Sequence, residues 1–176
     1  MILKVSLLGH PVLRQKAKPV DLKQAHAGRL QALLDDMRET MHEYDGVGIA
    51  APQVHLSVQI AVIEAEDNPR YPDALPIPLT VLINPQVKPA SRVKEEDWEG
   101  CLSVEGLRGR VPRWRAVDVE TTNVRGEKIQ FRAEGFYARV IQHECDHLQG
   151  KVFLDRMRDF STLTHLKEYT RYWVKD

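Results

Sequence analysis

The chain has 176 residues, 43% of them hydrophobic and 28% charged, which is enough for one domain with a sizeable core. Basic and acidic residues are equal in number, 25 each, so there is no basic excess for binding a nucleic acid. No uninterrupted apolar run reaches the ~18–20 residues that a membrane-spanning helix needs. The apolar N-terminus is broken by Pro11 too early for a signal peptide, which predicts a cytoplasmic protein. Two cysteines do not make a disulfide framework.

The first predicted element is a helix over residues 21–45. Its apolar residues recur at the three- and four-residue spacing of one buried helix face: Leu30, Leu33, Leu34, Met37, Met41 and Tyr44. Asp21 is expected to cap the start of this helix, and Gly46 is expected just after its C-cap.

Strands are predicted for the middle of the chain. Residues 57–65 form a run rich in β-branched side chains, which is typical of a strand. Residues 67–79 contain four prolines and are predicted as a surface loop, and residues 80–85 as a short strand that its final proline ends. Residues 116–124 and 127–134 alternate in polarity around an Arg-Gly pair, which predicts a hairpin.

Two helices are predicted in the last third of the chain. Residues 136–150 form one that Gly150 ends, and residues 161–174 form another with an apolar face. The element order predicts an α+β fold, with antiparallel strands packed around the central helix and one helix near each terminus. We expect residues 1–176 to form a single catalytic domain.

The central helix carries a metal-binding pattern, HExxH. His143 and His147 are four residues apart, which on a helix brings the imidazoles ~5–6 Å from each other, close enough to bind one divalent ion. Glu144 lies ~100° around the helix, where it can act as general base toward a water bound to such an ion. Cys145 points away and is predicted as core. Asp146 is either a solvated charge or a residue that orients a ligand histidine or closes an ion pair.

The third protein ligand is open between two residues. Glu168, 21 residues after the second histidine, has the spacing of a metallopeptidase with two histidines and a glutamate. Cys101 lies upstream, and its thiolate would bind a borderline-soft divalent ion strongly. Gly100 beside it relieves crowding where the backbone approaches the site. Distance along the sequence does not choose between the two.

Three segments together resemble one family, the peptide deformylases. They are GVGIAAPQ at 46–53, EGCLS at 99–103 and QHECDH at 142–147. HPVLR near the start and HLQGKVFLDRM after the metal helix are also similar. The resemblance therefore runs from about residue 5 to about residue 157, most of the chain.

The resemblance implies hydrolytic removal of the formyl group from N-formylmethionine on newly synthesised polypeptides, with release of formate. It implies Cys101, His143 and His147 as ligands of one divalent ion, usually Fe(II), with zinc, nickel or cobalt able to replace it. Glu144 then acts as general acid and base. The implied partners are nascent N-formylmethionyl polypeptides and the ribosome surface.

The resemblance also implies which groups surround the reacting carbonyl. The side chain of Gln53 and the backbone N–H of Leu102 correspond to the donors that stabilise the oxyanion. Gly48 corresponds to the glycine whose backbone pairs with the substrate. Val47 and Glu99 are predicted to bind substrate beside it.

Two positions depart from the family pattern. Glu105 stands where a proline is common, and Arg139 stands where many bacterial members have an apolar residue. Both are predicted at the rim of the methionine pocket, where they would alter peptide preference.

The alternatives are a catalytically silent binding module of the same fold and a metallopeptidase that uses Glu168. The intact Glu144, Gln53 and Cys101 argue against the silent module.

Overall fold

The computed structural model describes residues 1–23, 27–66 and 75–174. Within these ranges the chain forms three α-helices and eight strands, joined by turns and short 3₁₀ helices. The helices are α1 (Ala27–Glu43), α2 (Gly135–Leu148) and α3 (Leu166–Tyr172). The strands are β1 (Gly48–Ala50), β2 (Ile60–Ala65), β3 (Ile77–Pro89), β4 (Lys94–Cys101), β5 (Val104–Trp114), β6 (Ala116–Thr122), β7 (Lys128–Glu134) and β8 (Thr164–His165).

The strands form two antiparallel sheets. One has the order β1-β2-β3-β6-β7 and the other the order β4-β5-β8. Helix α2 packs against strands of both sheets, and its Ile141 and Leu148 are buried in the core. The predicted α+β fold, with antiparallel strands around the helix that carries HExxH, is confirmed.

Helix α2 ends at Leu148, and Gly150 terminates it as predicted. This glycine has a φ of 72°, and its N–H donates to the carbonyl of His147 while the N–H of Lys151 donates to the carbonyl of Asp146. These two bonds make a Schellman motif. A Cβ at Gly150 would also lie 2.7 Å from the carbonyl oxygen of Arg14, so the position needs glycine for two reasons.

Helix α1 differs from its prediction at its C-terminal end. Its first residue in the described part of the chain is Ala27, and residues 24–26 of the predicted helix lie outside that part. Asp21 accepts a hydrogen bond from the backbone N–H of Lys23, and its capping of the helix start stays a prediction. At the other end the left-handed residue is Asp45, with a φ of 51°, and Gly46 follows it. The prediction that Gly46 stands directly after the C-cap is therefore wrong by one residue.

Strand β3 is longer than predicted. Of the predicted proline-rich loop, residues 67–74 lie outside the described part, and the remainder enters β3 from Ile77. The strand also continues through Pro85, where it was expected to end. Pro85 sits where the register with β6 shifts between Ile83 and Gln86. At such an irregularity the missing N–H of a proline removes no ladder hydrogen bond.

One hairpin was predicted and one was missed. The β6–β7 hairpin is confirmed, with Gly126 in its turn at a φ of 83°. The β4–β5 hairpin was not predicted, because most of β4 is exposed and charged and shows no clear alternation. Its tight end pairs Cys101 with Val104.

The C-terminal helix is shorter than the predicted range 161–174. Residues Phe160–Thr162 form a 3₁₀ turn, and the next residues are extended because β8 pairs with β5. Helix α3 begins only at Leu166 and is capped by Trp173. No helix in the described ranges has the length and apolar character needed to cross a bilayer.

Candidate metal centre

Two elements from different parts of the chain meet at the site. Helix α2 carries His143 and His147, and Cys101 is the last residue of β4. The candidate ligand atoms of these three residues lie within 4.8 Å of one another, and all three residues are buried. Sγ of Cys101 is 3.3 Å from Nε2 of His147. One thiolate and two imidazoles that converge in this way fit a borderline-soft divalent metal ion.

The electrostatics of the three residues favour the ligand form of the cysteine. Burial alone would raise the pKa of the Cys101 thiol, but its electrostatic interaction with His147 and hydrogen bonds with both histidines hold that pKa well below its usual range. Burial would likewise lower the pKa of His143, and its contacts with Cys101 and Glu99 raise that pKa instead. The cavity therefore stabilises a buried thiolate through nearby positive charge, which a bound cation would also supply.

Glu144 is buried directly beside these ligands. It is 3% exposed, and its Oε2 has no hydrogen-bond partner among the described residues. Burial raises the pKa of Glu144 to about 7, against the opposite effect of His143 and His147. A carboxyl group with such a pKa can both take up and return a proton near neutrality. A Cβ at Gly48 would overlap the Glu144 carboxylate, so the glycine makes room for the catalytic candidate.

The amide of Gln53 is held in one orientation. Its Oε1 accepts the N–H of Ala50 at 2.8 Å, which turns Nε2 toward Sγ of Cys101 at 3.5 Å and Oγ of Ser103 at 3.3 Å. The residue is 1% exposed. An amide N–H fixed in this way points at the space beside the metal ligands. Leu102, the second predicted oxyanion donor, lines the same space. Ser103 is a hydrogen-bond partner of Gln53 that the sequence analysis did not identify.

Glu99 lies at the centre of a buried charge network. Its Oε2 is 2.9 Å from Nδ1 of His143, and its two oxygens accept hydrogen bonds from Arg113 and Arg139. Arg113 also donates to Asp146. Asp146 is 5% exposed and forms ion pairs with Arg113 and Arg156, so of its alternative interpretations the solvated charge is wrong and the ion pair is confirmed. The Glu99 carboxylate is thus occupied inside the protein, and a contact with substrate would have to use other atoms of this residue.

The sequence analysis missed Arg113. It lies on β5, in a segment whose strand was not predicted, and it is 5% exposed. A buried arginine must have anionic partners, and Arg113 has two, Glu99 and Asp146. Nothing in the sequence singles out Arg113, because Arg108, Arg110 and Arg115 lie in the same stretch.

A pocket of about 460 Å³, including the solvent at its mouth, leads to the candidate ligands Cys101 and His143. It lies between β1, β4 and α2. Its lining includes Gly46, Val47, Gly48, Gln53, Trp98, Glu99, Gly100, Cys101, Leu102, Phe136, Arg139, Val140, His143 and Glu144. The guanidinium of Arg139 is bound to Glu99 and to two backbone carbonyls, so its charge is neutralised at the pocket wall. Glu105 is exposed on β5 and is not one of the described residues that line the pocket.

The remaining two candidates lie away from this centre. Glu168 is on α3, where its side chain is 49% exposed and pairs with Arg171, and it is not in the ligand group found among the described residues. Cys145 packs against the core cluster on the other side of α2, and burial raises the pKa of its thiol. The prediction of Cys145 as core is confirmed.

The fold and the site define a class of protein. An HExxH helix whose histidines converge with an upstream cysteine, beside a buried carboxyl group and an oriented amide, is the arrangement of a metal-dependent hydrolase.

Comparison with known proteins gives the family. A sequence model described as polypeptide deformylase matches residues 2–162. Peptide deformylase 1 of Bordetella pertussis is 47% identical over 161 residues, which cover 92% of this chain and 90% of that protein. The crystal structure of the Met-Ala-Ser-bound class I type b peptide deformylase from Acinetobacter baumannii matches with a TM-score of 0.86 at 39% identity, covering 89% of this chain and 99% of that one. The peptide deformylase structure from Thermotoga maritima matches with a TM-score of 0.77 at 35% identity, covering 90% and 99%. The chain belongs to the peptide deformylase family, as its three motifs predicted.

Proposed function

We propose that this protein removes the formyl group from the N-terminal formylmethionine of newly synthesised polypeptides and releases formate. The observation that carries the proposal is the convergence of Cys101, His143 and His147 beside a carboxyl oxygen of Glu144 that has no hydrogen-bond partner in the described part of the chain. This arrangement supports hydrolysis of a small amide at the end of a pocket that admits an extended peptide.

Cys101, His143 and His147 would hold one divalent metal ion. We propose Fe(II) as the resident ion, with zinc, nickel or cobalt able to replace it, because a thiolate with two imidazoles suits all of these ions. When bound, the ion supplies Lewis acidity, which polarises a carbonyl and lowers the pKa of water.

The lining of the pocket supports a place for a methionine side chain and for the peptide that follows it as part of the proposal. Phe136, Val140 and Leu102 supply apolar lining close to the ligands. Strand β1 is at the edge of its sheet and, within the described residues, bonds to β2 alone. The backbone around Gly48 can therefore pair with an extended peptide, as in strand addition, with Val47 beside it. The A. baumannii neighbour is bound to Met-Ala-Ser, a tripeptide of the length that such a cleft would take.

The reaction follows from the groups around the formyl carbon. The oxygen of the attacking water bonds to the formyl carbon, and Glu144 accepts a proton from that water in the same step. The N–H groups of Gln53 and Leu102 donate to the oxygen that becomes negative, and one such donor is worth roughly 10²–10³ in rate. Glu144 then gives its proton to the amide nitrogen as the C–N bond breaks. The products are formate and a peptide with a free methionine amine.

The proposal is tested by formate release from formyl-Met-Ala-Ser, with the metal content of each variant measured after anaerobic purification. We expect Cys101→Ala to lose metal and activity. Glu144→Ala should keep its metal and lose turnover, and Glu168→Ala should keep both. Loss of metal from Glu168→Ala with full retention by Cys101→Ala would instead indicate the metallopeptidase. A metal-loaded wild type that releases no formate would indicate the silent binding module.

The cellular context is also a proposal. The formyl group is present on chains that are still being made, so we propose nascent N-formylmethionyl polypeptides as partners and the ribosome surface as the place of contact. This implies the cytoplasm as location and residues 1–176 as one catalytic domain. Co-sedimentation with ribosomes that carry formylated nascent chains, compared with empty ribosomes, tests the association.

A further inference from the structure

Ser6 holds the backbone of Gln53 from both sides. The hydroxyl of Ser6 donates to the carbonyl of Pro52 at 2.9 Å, and its N–H donates to the carbonyl of Gln53 at 2.8 Å. These two carbonyls belong to the peptide planes before and after the Cα of Gln53, and each plane is rigid. The two planes fix the direction in which the side chain leaves the backbone. Ser6, which is 2% exposed, therefore sets the point from which the Gln53 amide extends.

The same N-terminal segment reaches the part of the chain that carries the second proposed oxyanion donor. The N–H of Leu8 donates to the carbonyl of Ser103 at 2.7 Å, in the turn that contains Leu102. The hydroxyl of Ser103 also accepts a hydrogen bond from the Gln53 amide. Residues 6–8 thus connect the two places from which N–H groups are proposed to donate to the oxyanion.

The position of an oxyanion donor decides how much it contributes to the rate. Such a donor acts when it lies within hydrogen-bond distance of the oxygen that becomes negative. A misplacement of ~1 Å by a change far from the reacting atoms can reduce the rate by about 10²-fold. Ser6 is buried and is not one of the described residues that line the pocket, so its route to the reaction runs through Gln53.

We propose that Ser6 is a positioning residue for deformylation, which holds the Gln53 amide where the oxyanion forms. This inference rests on the proposed function, since it needs a tetrahedral state beside the metal ligands. The effect belongs in kcat, because the amide stabilises the transition state more than the bound substrate. It is smaller than the effect of losing the amide, because without the hydroxyl the N–H of Ser6 still bonds to Gln53.

The first test measures kcat and KM for formate release from formyl-Met-Ala-Ser by the metal-loaded protein. Ser6→Ala should lower kcat about tenfold, with KM and metal content unchanged. Ser6→Thr keeps the hydroxyl and should restore most of kcat. In Ser6→Ala the Pro52 carbonyl keeps a hydrogen bond from the N–H of His55, so the substitution leaves no buried acceptor without a partner.

A double-mutant cycle shows whether Ser6 acts through Gln53. In the Gln53→Ala background, Ser6→Ala should have no further effect on kcat, because the amide that Ser6 positions is gone. Thr40→Val is the matched control. The Thr40 hydroxyl is also buried and also holds the N-terminal segment, since it accepts the N–H of Leu3, but it lies on α1. This variant should leave kcat unchanged in both backgrounds.

Each other outcome overturns the inference. An unchanged kcat in Ser6→Ala, or a rise in KM alone, would refute the positioning role. An equal fall of kcat in the Gln53→Ala background or in Thr40→Val would show a general loss of structure instead. If Ser6→Ala does not fold, Ser6→Cys replaces it, since the thiol is a weaker donor of similar size, and a wild-type kcat in that variant refutes the role. A wild type that releases no formate would refute the proposed function together with this inference, whereas formate release that is insensitive to Ser6 refutes only the inference.

Discussion

Ion pairs of the same residue types occur in two regions of the molecule with opposite surroundings. Around α2, Glu99, Arg113 and Asp146 are each no more than 5% exposed, and Arg113 forms an ion pair with each of the two carboxylates. On the β6–β7 hairpin, Asp118 and Arg132 are 2.8 Å apart, but more than half of each side chain is exposed. The chemistry of the pairs is alike, and only their access to water differs.

This difference in exposure shows which charged residues fix the arrangement of the metal ligands. A buried charge that loses its partner cannot recover its hydration, so the network around Glu99 has one stable arrangement. That arrangement also fixes the ring of His143, which meets Glu99 through Nδ1. On the hairpin, water replaces a lost partner at little cost. The buried network is therefore expected to control metal binding, and the hairpin pairs are not.

The largest effect is expected from Arg113→Ala. It leaves Glu99 and Asp146 without their shared partner, and breaking a buried pair in this way typically costs about 3–5 kcal/mol of unfolding free energy. Urea unfolding of the metal-free protein measures this loss. Arg115→Ala is the control, because Arg115 is 62% exposed and pairs with the half-exposed Glu95. Equal losses in the two variants would contradict the comparison.

The next effect is expected from Glu99→Gln. The variant keeps the shape of the side chain but removes the negative charge that faces Nδ1 of His143. Metal affinity should fall by roughly 10- to 100-fold, as for other partners of metal-binding histidines. A competition titration with a chelator measures it, with Glu95→Gln on the exposed part of the same strand as control. An unchanged affinity would show that the network does not orient the ligand.

The ion pair of Glu64 with Arg38 is intermediate in exposure between these two regions. Glu64 is 8% exposed, and it accepts hydrogen bonds from Arg38, whose side chain is 47% exposed. The hydrogen bond from Arg38, followed by that from His42, lowers the pKa of Glu64 despite its burial. Glu64 therefore binds its proton less tightly in the folded state than in the unfolded state. Its contribution to stability is present above the ordinary glutamate pKa of ~4.3. The contribution is lost as the pH falls through the lower pKa that Glu64 has in the folded state.

The measurement is the unfolding free energy of wild type and Glu64→Gln between pH 3 and 7. The wild type should be the more stable protein at pH 7, and the difference should shrink below about pH 4. Glu43→Gln, at an exposed position on α1, should show no such trend. A difference that grows on acidification would reverse the sign and refute the role of Glu64.

The smallest effect is expected from Arg132→Ala on the hairpin. Exposed ion pairs contribute little, and salt screens what remains. The unfolding midpoint should therefore stay close to that of the wild type, and a double-mutant cycle with Asp118→Asn should give little coupling at high salt. A coupling as large as that of the Arg113 pairs would show that exposure does not separate the two regions.

The local elements were largely predictable. The helix that carries HExxH, its end at Gly150 and the hairpin around Gly126 follow from short-range spacing and turn chemistry, which a sequence displays directly. The errors lie where tertiary pairing overrides local preference. Pro85 did not end β3 because a register shift accommodates it, and the last helix is shortened because β8 joins another strand.

The sequence by itself determined that one helix presents two histidines and a glutamate on neighbouring faces, because the helical repeat fixes those directions. It left Cys101 and Glu168 open as third ligand until motif resemblance was added, since distance along a chain does not report distance in space. Only the tertiary structure brought Cys101 against the histidines, enclosed Arg113 between two carboxylates and set Trp173 against Trp98. These contacts join residues far apart in the chain, and burial of charge depends on the packing of whole sheets.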